Sequence, residues 1–304
     1  MEFQRQYRSR LFRPSRPILQ LFLTAAAGVS CLAAAVTLHA GSSPVTRANP
    51  VSAGDLNLLT NAEQVLIRIC MHGQGFRYWP IPASQIVLTP PFPLVVTKVR
   101  WARANGLADI PWRIFSPHAN QRYYNHLPAS RQSAYSNALV GVAGGPAVQV
   151  ALPSGGIEGA SSQGCEARAE SELYGNYRAW FQASTVARDL PMLWLPMILQ
   201  DRWYQSAVRW WSGCMRAKGY WYSSPGQAAA AFQRPPSSRP DRAEVAVAVA
   251  EAVCANQTEL TAVVRSLSRE FSAKVDRKYQ SSLNSEWRLE RSALPRARRL
   301  LGSN

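Results

Sequence analysis

Lysine is scarce in this chain: Lys98, Lys218, Lys274 and Lys278 stand beside thirty arginines in 304 residues. That skew reads as the codon bias of a GC-rich genome, so the abundance of arginine carries no chemical meaning by itself. Acidic residues are also few, 18 against 34 basic ones, and the formal net charge is +16. Histidine is limited to His39, His72, His118 and His126, and no H-E-x-x-H pattern occurs, which removes the usual zinc-hydrolase signature. Neither a G-x-S-x-G elbow nor a Walker loop is present, so no motif supports a serine hydrolase or a P-loop enzyme. The absence of C-x-x-C leaves a zinc ribbon or a thioredoxin-like redox centre unsupported.

What is present describes a folded, exported protein. Apolar residues make up 47% of the chain and tryptophan occurs ten times, which excludes a wholly disordered polymer. The length suits one large domain or two small ones with a proper core. Residues 1–40 read as a signal peptide or signal anchor: Arg5, Arg8, Arg10, Arg13 and Arg16 precede an apolar run from Ile18 to Leu38. Cleavage after Ala40 and retention both stay open. Leu38 is poor at the small −3 position, and the run is long enough, at about 20 residues, to span a bilayer. Lipidation at Cys31 is a third option, weakened by Gly28 where such signals favour leucine. Discounting the segment's five arginines and Glu2 leaves about +12 on the exported part, which suits either anionic partners or a dispersed solvated face.

Along the rest of the chain, residues 41–57 read as a flexible tether. A disulfide-stapled helical domain is expected over 58–294, divisible into halves at 58–178 and 179–294, and a basic tail over 295–304. Thr60-x-x-Glu63 fits a capping box for a first helix, with Ala62, Val65, Leu66, Ile69 and Cys70 on its apolar side. Pro80, Pro82, Pro90, Pro91 and Pro93 predict an extended excursion. Short helices are expected at 98–107 and 131–140, and a glycine-rich surface loop over 141–164. Helical patterns return at 165–177 and 179–216, the latter broken or kinked at Pro191 and Pro196. A Pro/Ser linker is expected over 223–240, a buried helix over 242–254, and one long helix from Thr258 to Leu294, ended by Pro295.

One signature occurs twice. Cys70 to Tyr78 and Cys214 to Tyr222 both read C-M-x-x-x-G-[F/Y]-x-Y, and Cys165 and Cys254 each follow one copy. Four cysteines outside the export segment allow three pairings in an oxidising compartment. The duplication argues for Cys70–Cys165 and Cys214–Cys254, each unit pairing with the helix cysteine that follows it. In each unit the glycine is expected to cap the helix and the aromatic after it to fold over the bridge. Trp79 and Trp221 are the candidate binding surface, able to stack on a sugar ring or to sit at a membrane interface. Metal binding by Cys70-Met71-His72 and Cys214-Met215 would suit Cu(I), but adjacent helical residues diverge, so no metal and no cofactor is assigned.

Catalytic patterns are thin. Glu166 and Glu170 lie four apart on an expected helix and read as a solvated face; Trp203, Trp210 and Trp211 with Arg202 and Arg209 read as core aromatics with rim arginines. Nucleic acid is therefore disfavoured as a partner, and no catalytic residue is assigned. The C-M-x-x-x-G-[F/Y]-x-Y units, Gly164-Cys165-Glu166-Ala167-Arg168-Ala169, Trp211 to Tyr220 and Ala248 to Cys254 together resemble a group of exported, often lipoprotein-like actinomycete proteins of no assigned activity. The resemblance covers about residues 55–290 and implies export and a four-cysteine framework, but no catalytic residue. The resulting expectation is a mainly α-helical, irregular domain with long loops and two disulfides, acting as an extracytoplasmic, non-catalytic binding or accessory protein of the cell envelope. It would be secreted, or held on the outer face of the cytoplasmic membrane by an uncleaved N-terminal segment, and would serve an envelope protein or a cell-wall polymer. The alternatives are a wall-polysaccharide enzyme and a copper-handling protein.

Overall fold

The computed structural model describes residues 49–85, 94–107, 119–232 and 239–302. The expected export segment with Cys31, residues 41–48 of the expected tether, Pro90, Pro91, Pro93 and His118 lie outside these residues. The fold is mainly helical, with one two-stranded sheet and the disulfides Cys70–Cys165 and Cys214–Cys254.

Helix α1 spans Ala53–Gly73. It starts two turns before the expected Thr60 cap, because the Ser52 hydroxyl accepts the Asp55 N–H at 3.1 Å. Residues 53–57 are therefore helical rather than tether, and Thr60 is interior. The buried residues are Leu59, Ala62, Val65, Leu66, Ile67 and Met71, whereas Ile69 is 53% exposed, against expectation. The buried arc faces the helices that span Cys165–Tyr174 and Gln280–Gly302, which leaves Ile69 on the outer side.

Helix α2 (Val99–Asn105) ends at Gly106, and α3 (Ala119–His126) and α4 (Ala129–Val140) follow. The glycine-rich stretch expected as a loop holds a hairpin: β1 (Ala147–Ala151) pairs antiparallel with β2 (Ile157–Ser161), Val148 opposite Ala160. Those two side chains are buried with Ala167, Tyr177 and Phe181, and Gly155 and Gly156 turn the chain at positive φ. The Tyr177 hydroxyl donates to the Ser161 carbonyl at 2.7 Å and locks the hairpin down.

Helices α5 (Cys165–Tyr174), α6 (Tyr177–Asp189), α7 (Pro191–Gln200) and α8 (Arg202–Ala217) come next. Pro191 opens α7 where no N–H is needed, and Asp201 caps α8 by accepting the Trp203 N–H at 2.7 Å. The expected Pro/Ser linker contains a short helix, α9 (Pro225–Ala230), and α10 (Arg242–Gln257) is capped by Asp241. The single long helix expected over 258–294 is two helices, α11 (Leu260–Lys278) and α12 (Gln280–Gly302), meeting at Tyr279.

Pro295 lies inside α12, so the expected basic tail is helical as far as Gly302. A proline here forfeits one backbone bond, at about 3 kcal/mol. Burial of Ala293, Leu294 and Ala297 against α1 and the Arg296 Nε bond to the Leu173 carbonyl, 2.7 Å, offset that loss.

Two main cores result. The first joins α1, α4 and α5 to Trp180 and the end of α12; the second joins α2, α7, α8, α10 and α11. The two sequence halves interleave. The last helix returns to pack on α1, while α2, from the first half, packs on α10.

Candidate functional site

The duplicated signature has a local physical explanation. In the first copy the Phe76 N–H donates to the Met71 carbonyl at 3.0 Å and the Gly75 N–H to that of His72 at 2.9 Å. In the second the Tyr220 N–H donates to Met215 at 3.0 Å and the Gly219 N–H to Arg216 at 2.9 Å. These are two Schellman caps, with glycine left-handed at φ 74° and 86° and the aromatic placed to cover the buried methionine. The cysteine sits one residue before that methionine, so the disulfide ties down the last helical turn.

Beyond the caps the chain folds back along its own helix in both copies. Gln64 Oε1 accepts the Tyr78 hydroxyl at 2.9 Å and the Ile81 N–H at 3.1 Å, and the Ser212 hydroxyl donates to the Tyr222 carbonyl at 2.7 Å. The likeness stops at the partner cysteines: Cys165 opens α5, whereas Cys254 lies in the last turn of α10. A Cβ at Gly75 or Gly219 would meet nothing within 4 Å. Alanine at either position is therefore expected to cost only the left-handed dihedral, about 1–2 kcal/mol, read from the urea midpoint at unchanged slope.

The sequence-derived binding residues ride on these caps. Trp79 is 41% exposed, its backbone is clamped by both ends of the buried Asn120 amide at 2.7 and 2.8 Å, and its ring meets Tyr123 edge-on at 5.7 Å. Trp221 is 78% exposed. Trp79 follows α1 at the first core and Trp221 follows α8 at the second, so each belongs to its own cap.

Helix α8 departs from the expectation of core aromatics. Tyr204, Ala207, Trp211 and Met215 form its buried stripe, but Trp203 and Trp210 are 60% and 72% exposed. Arg202, Arg209 and Arg216, also exposed, recur every seven residues beside them, and the Arg202 guanidinium lies over the Trp203 ring at 5.0 Å. The signal was present in the sequence. With Ala207 and Trp211 inside, a 3.6-residue period puts Trp203 and Trp210 on a different flank of the helix.

Buried carboxyls form a separate group. Glu166, expected to be solvated, is buried at the start of α5, where the helix faces the first core. Glu251 is 2% exposed; its Oε1 accepts the Val96 N–H at 2.7 Å, and burial pushes its pKa up to about 8. On α12, burial raises Glu286 to about 8, with Glu290 adding and Arg188 opposing, and raises Glu290 to about 7. Both glutamates, with Glu63 and Glu170, lie near Tyr174, whose hydroxyl is raised first by burial and then by these charges; its ring stacks on Trp180 at 3.6 Å.

An acid held protonated near neutral pH could serve as a general acid only where substrate can reach it. The surface hollow at the end of α12 is lined by Arg298, Arg299, Leu300 and Gly302, which include neither a carboxylate nor a nucleophile. His72 is exposed, and His126 Nδ1 lies 2.7 Å from the Arg122 carbonyl within its own helix. Among the described residues no group of three histidine, cysteine or acidic side chains is arranged to hold a metal ion. All four of these cysteines are bridged, so none of them offers a thiolate to a metal ion.

No family model, curated protein or solved structure matches the chain.

Proposed function

We propose that this chain is an extracytoplasmic, non-catalytic binding or accessory protein of the cell envelope, and that its exposed tryptophans make the contact. The observation that carries this reading is the outward placement of Trp79, Trp101, Trp203, Trp210 and Trp221. Exposed tryptophan is costly to leave in water, and it is a preferred anchor residue in binding surfaces. Four of the five stand on or next to elements of the second core, each within three residues of an arginine or lysine: Arg100, Arg202, Arg209 and Lys218. The two disulfides favour an oxidising compartment, in keeping with the basic and apolar export segment.

The test is co-sedimentation of the full oxidised chain with wall sacculi and with envelope membranes. Trp221→Ala or Trp210→Ala is expected to lower retention about tenfold on at least one of them, with the urea midpoint unchanged, as for an anchor residue of a binding surface. A fall in wall turbidity, abolished by a single Glu→Gln change, would instead establish a wall-polymer enzyme and remove this reading.

A further inference from the structure

We infer that the outer face of α8 docks on an anionic lipid bilayer surface, lying in the headgroup plane. This deepens the envelope-binding reading and rests on it. The face carries Trp203 and Trp210, about 10 Å apart along the helix axis at 1.5 Å per residue, so both rings reach the same depth when the helix lies flat. Tryptophan is favoured at that depth because its ring is apolar and its N–H remains at the wet edge. Arg202, Arg209 and Arg216 flank the rings, and Lys218 continues the basic stripe towards Trp221. Residues 202–222 contain no acidic side chain. Asp201, just before them, is turned inward to cap the helix at the Trp203 N–H.

The preceding helix α7 ends with Met197 and Leu199 exposed at 43% and 44%, both without hydrogen-bonding capacity of use to a carbohydrate. A sugar-binding face would be expected to offer several carboxylates or amides to the hydroxyls; α8 exposes aromatic rings and cations with a single amide, Gln205, and no carboxylate. Those are the components of an interfacial amphipathic helix on anionic lipid. No helix among the described residues is long and apolar enough to cross a membrane, so contact by α8 means lying on the bilayer, not spanning it.

The experiment places the full oxidised chain in nanodiscs of phosphatidylcholine alone, or of phosphatidylcholine with phosphatidylglycerol. Hydroxyl-radical footprinting with mass spectrometry then reads each tryptophan separately, so binding through the N-terminal apolar run does not mask the result. Trp203 and Trp210 are expected to be protected in the anionic discs only. Arg202→Gln with Arg209→Gln is expected to weaken docking about thirty-fold, and about 0.5 M salt to weaken it likewise. Equal oxidation of Trp203 and Trp210 in both disc types, or protection that survives loss of the two arginines, overturns the proposal. If sacculi protect the same tryptophans while anionic lipid does not, the lipid assignment falls and the envelope-binding reading stands. If neither does and co-sedimentation is also negative, both fall.

Discussion

Replacing Cys70 and Cys165 together by alanine is expected to lower the stability of the oxidised protein by about 4.5 kcal/mol, and replacing Cys214 with Cys254 by about 4 kcal/mol. The figures follow from the lengths of chain closed, 95 and 40 residues, because a longer closed loop removes more disorder from the unfolded ensemble. The two bridges staple different cores. Cys70–Cys165 joins α1 to α5 and sits in the first, while Cys214–Cys254 joins α8 to α10 in the second. Losing both is expected to cost about 8 kcal/mol, which rivals the whole net stability of a typical domain. The chain should therefore fold when produced in an oxidising compartment and fail to accumulate folded in a reducing one. Urea midpoints of the two double variants, with peptide mapping of unreduced protein, check this. Free thiols at all four positions in folded protein would remove the basis of the prediction.

The cysteine pairing and the Schellman caps were legible because both are local or duplicated. A C-M-x-x-x-G-[F/Y] unit fixes its cap within seven residues, and two copies with one following cysteine each leave little freedom. Features decided by distant partners were not. Pro295 reads as a terminator until α12 is seen to bury Ala293, Leu294 and Ala297 against α1, which is far earlier in sequence. The stretch 141–164 reads as a loop because glycine and serine dominate it; a strand pair forms there because Tyr177 and Phe181 supply a floor for Val148 and Ala160. The seven-residue tryptophan and arginine repeat on α8 was visible, but its polarity depended on which neighbours covered Trp211. Amphipathic period identifies two faces of a helix; only packing says how wide the buried one is.

Glu251→Gln is expected to stabilise the protein by about 3 kcal/mol at pH 8. The wild-type carboxyl is enclosed by the second core; its Oε1 accepts the Val96 N–H, and among the described residues its Oε2 has no hydrogen-bond partner. Its pKa stands at about 8 in the fold against 4.5 for an ordinary glutamate, because burial disfavours the charge more than the Val96 bond favours it. Between those values the folded chain holds a proton that the unfolded chain has released, so stability from this group falls as pH rises from about 4.5 and levels off above 8. Over that window the loss is on the order of 5 kcal/mol, at about 1.4 kcal/mol per pH unit. Glutamine keeps an oxygen for the Val96 N–H and has no charge to desolvate, though its amide nitrogen inherits the unpartnered position. Glu286 and Glu290 titrate in the same window, at about 8 and about 7, so the wild-type profile sums several carboxyls. The difference between variant and wild type isolates Glu251: slightly unfavourable to glutamine below pH 4.5, turning favourable and growing through pH 6 and 7, constant beyond 8. Thermal unfolding at each pH reads it directly, and a variant less stable than wild type at neutral pH, with the deficit vanishing in acid, would show that Glu251 is held ionised by a cation facing it. The segment fastened is the approach to α2, since Asn256, on the same helix, donates to the Thr97 carbonyl at 2.9 Å beside the Val96 bond. The protonated acid is thus a neutral clasp between α10 and that backbone, and alkaline pH is expected to loosen α2 before the disulfide-held helices α8 and α10 separate.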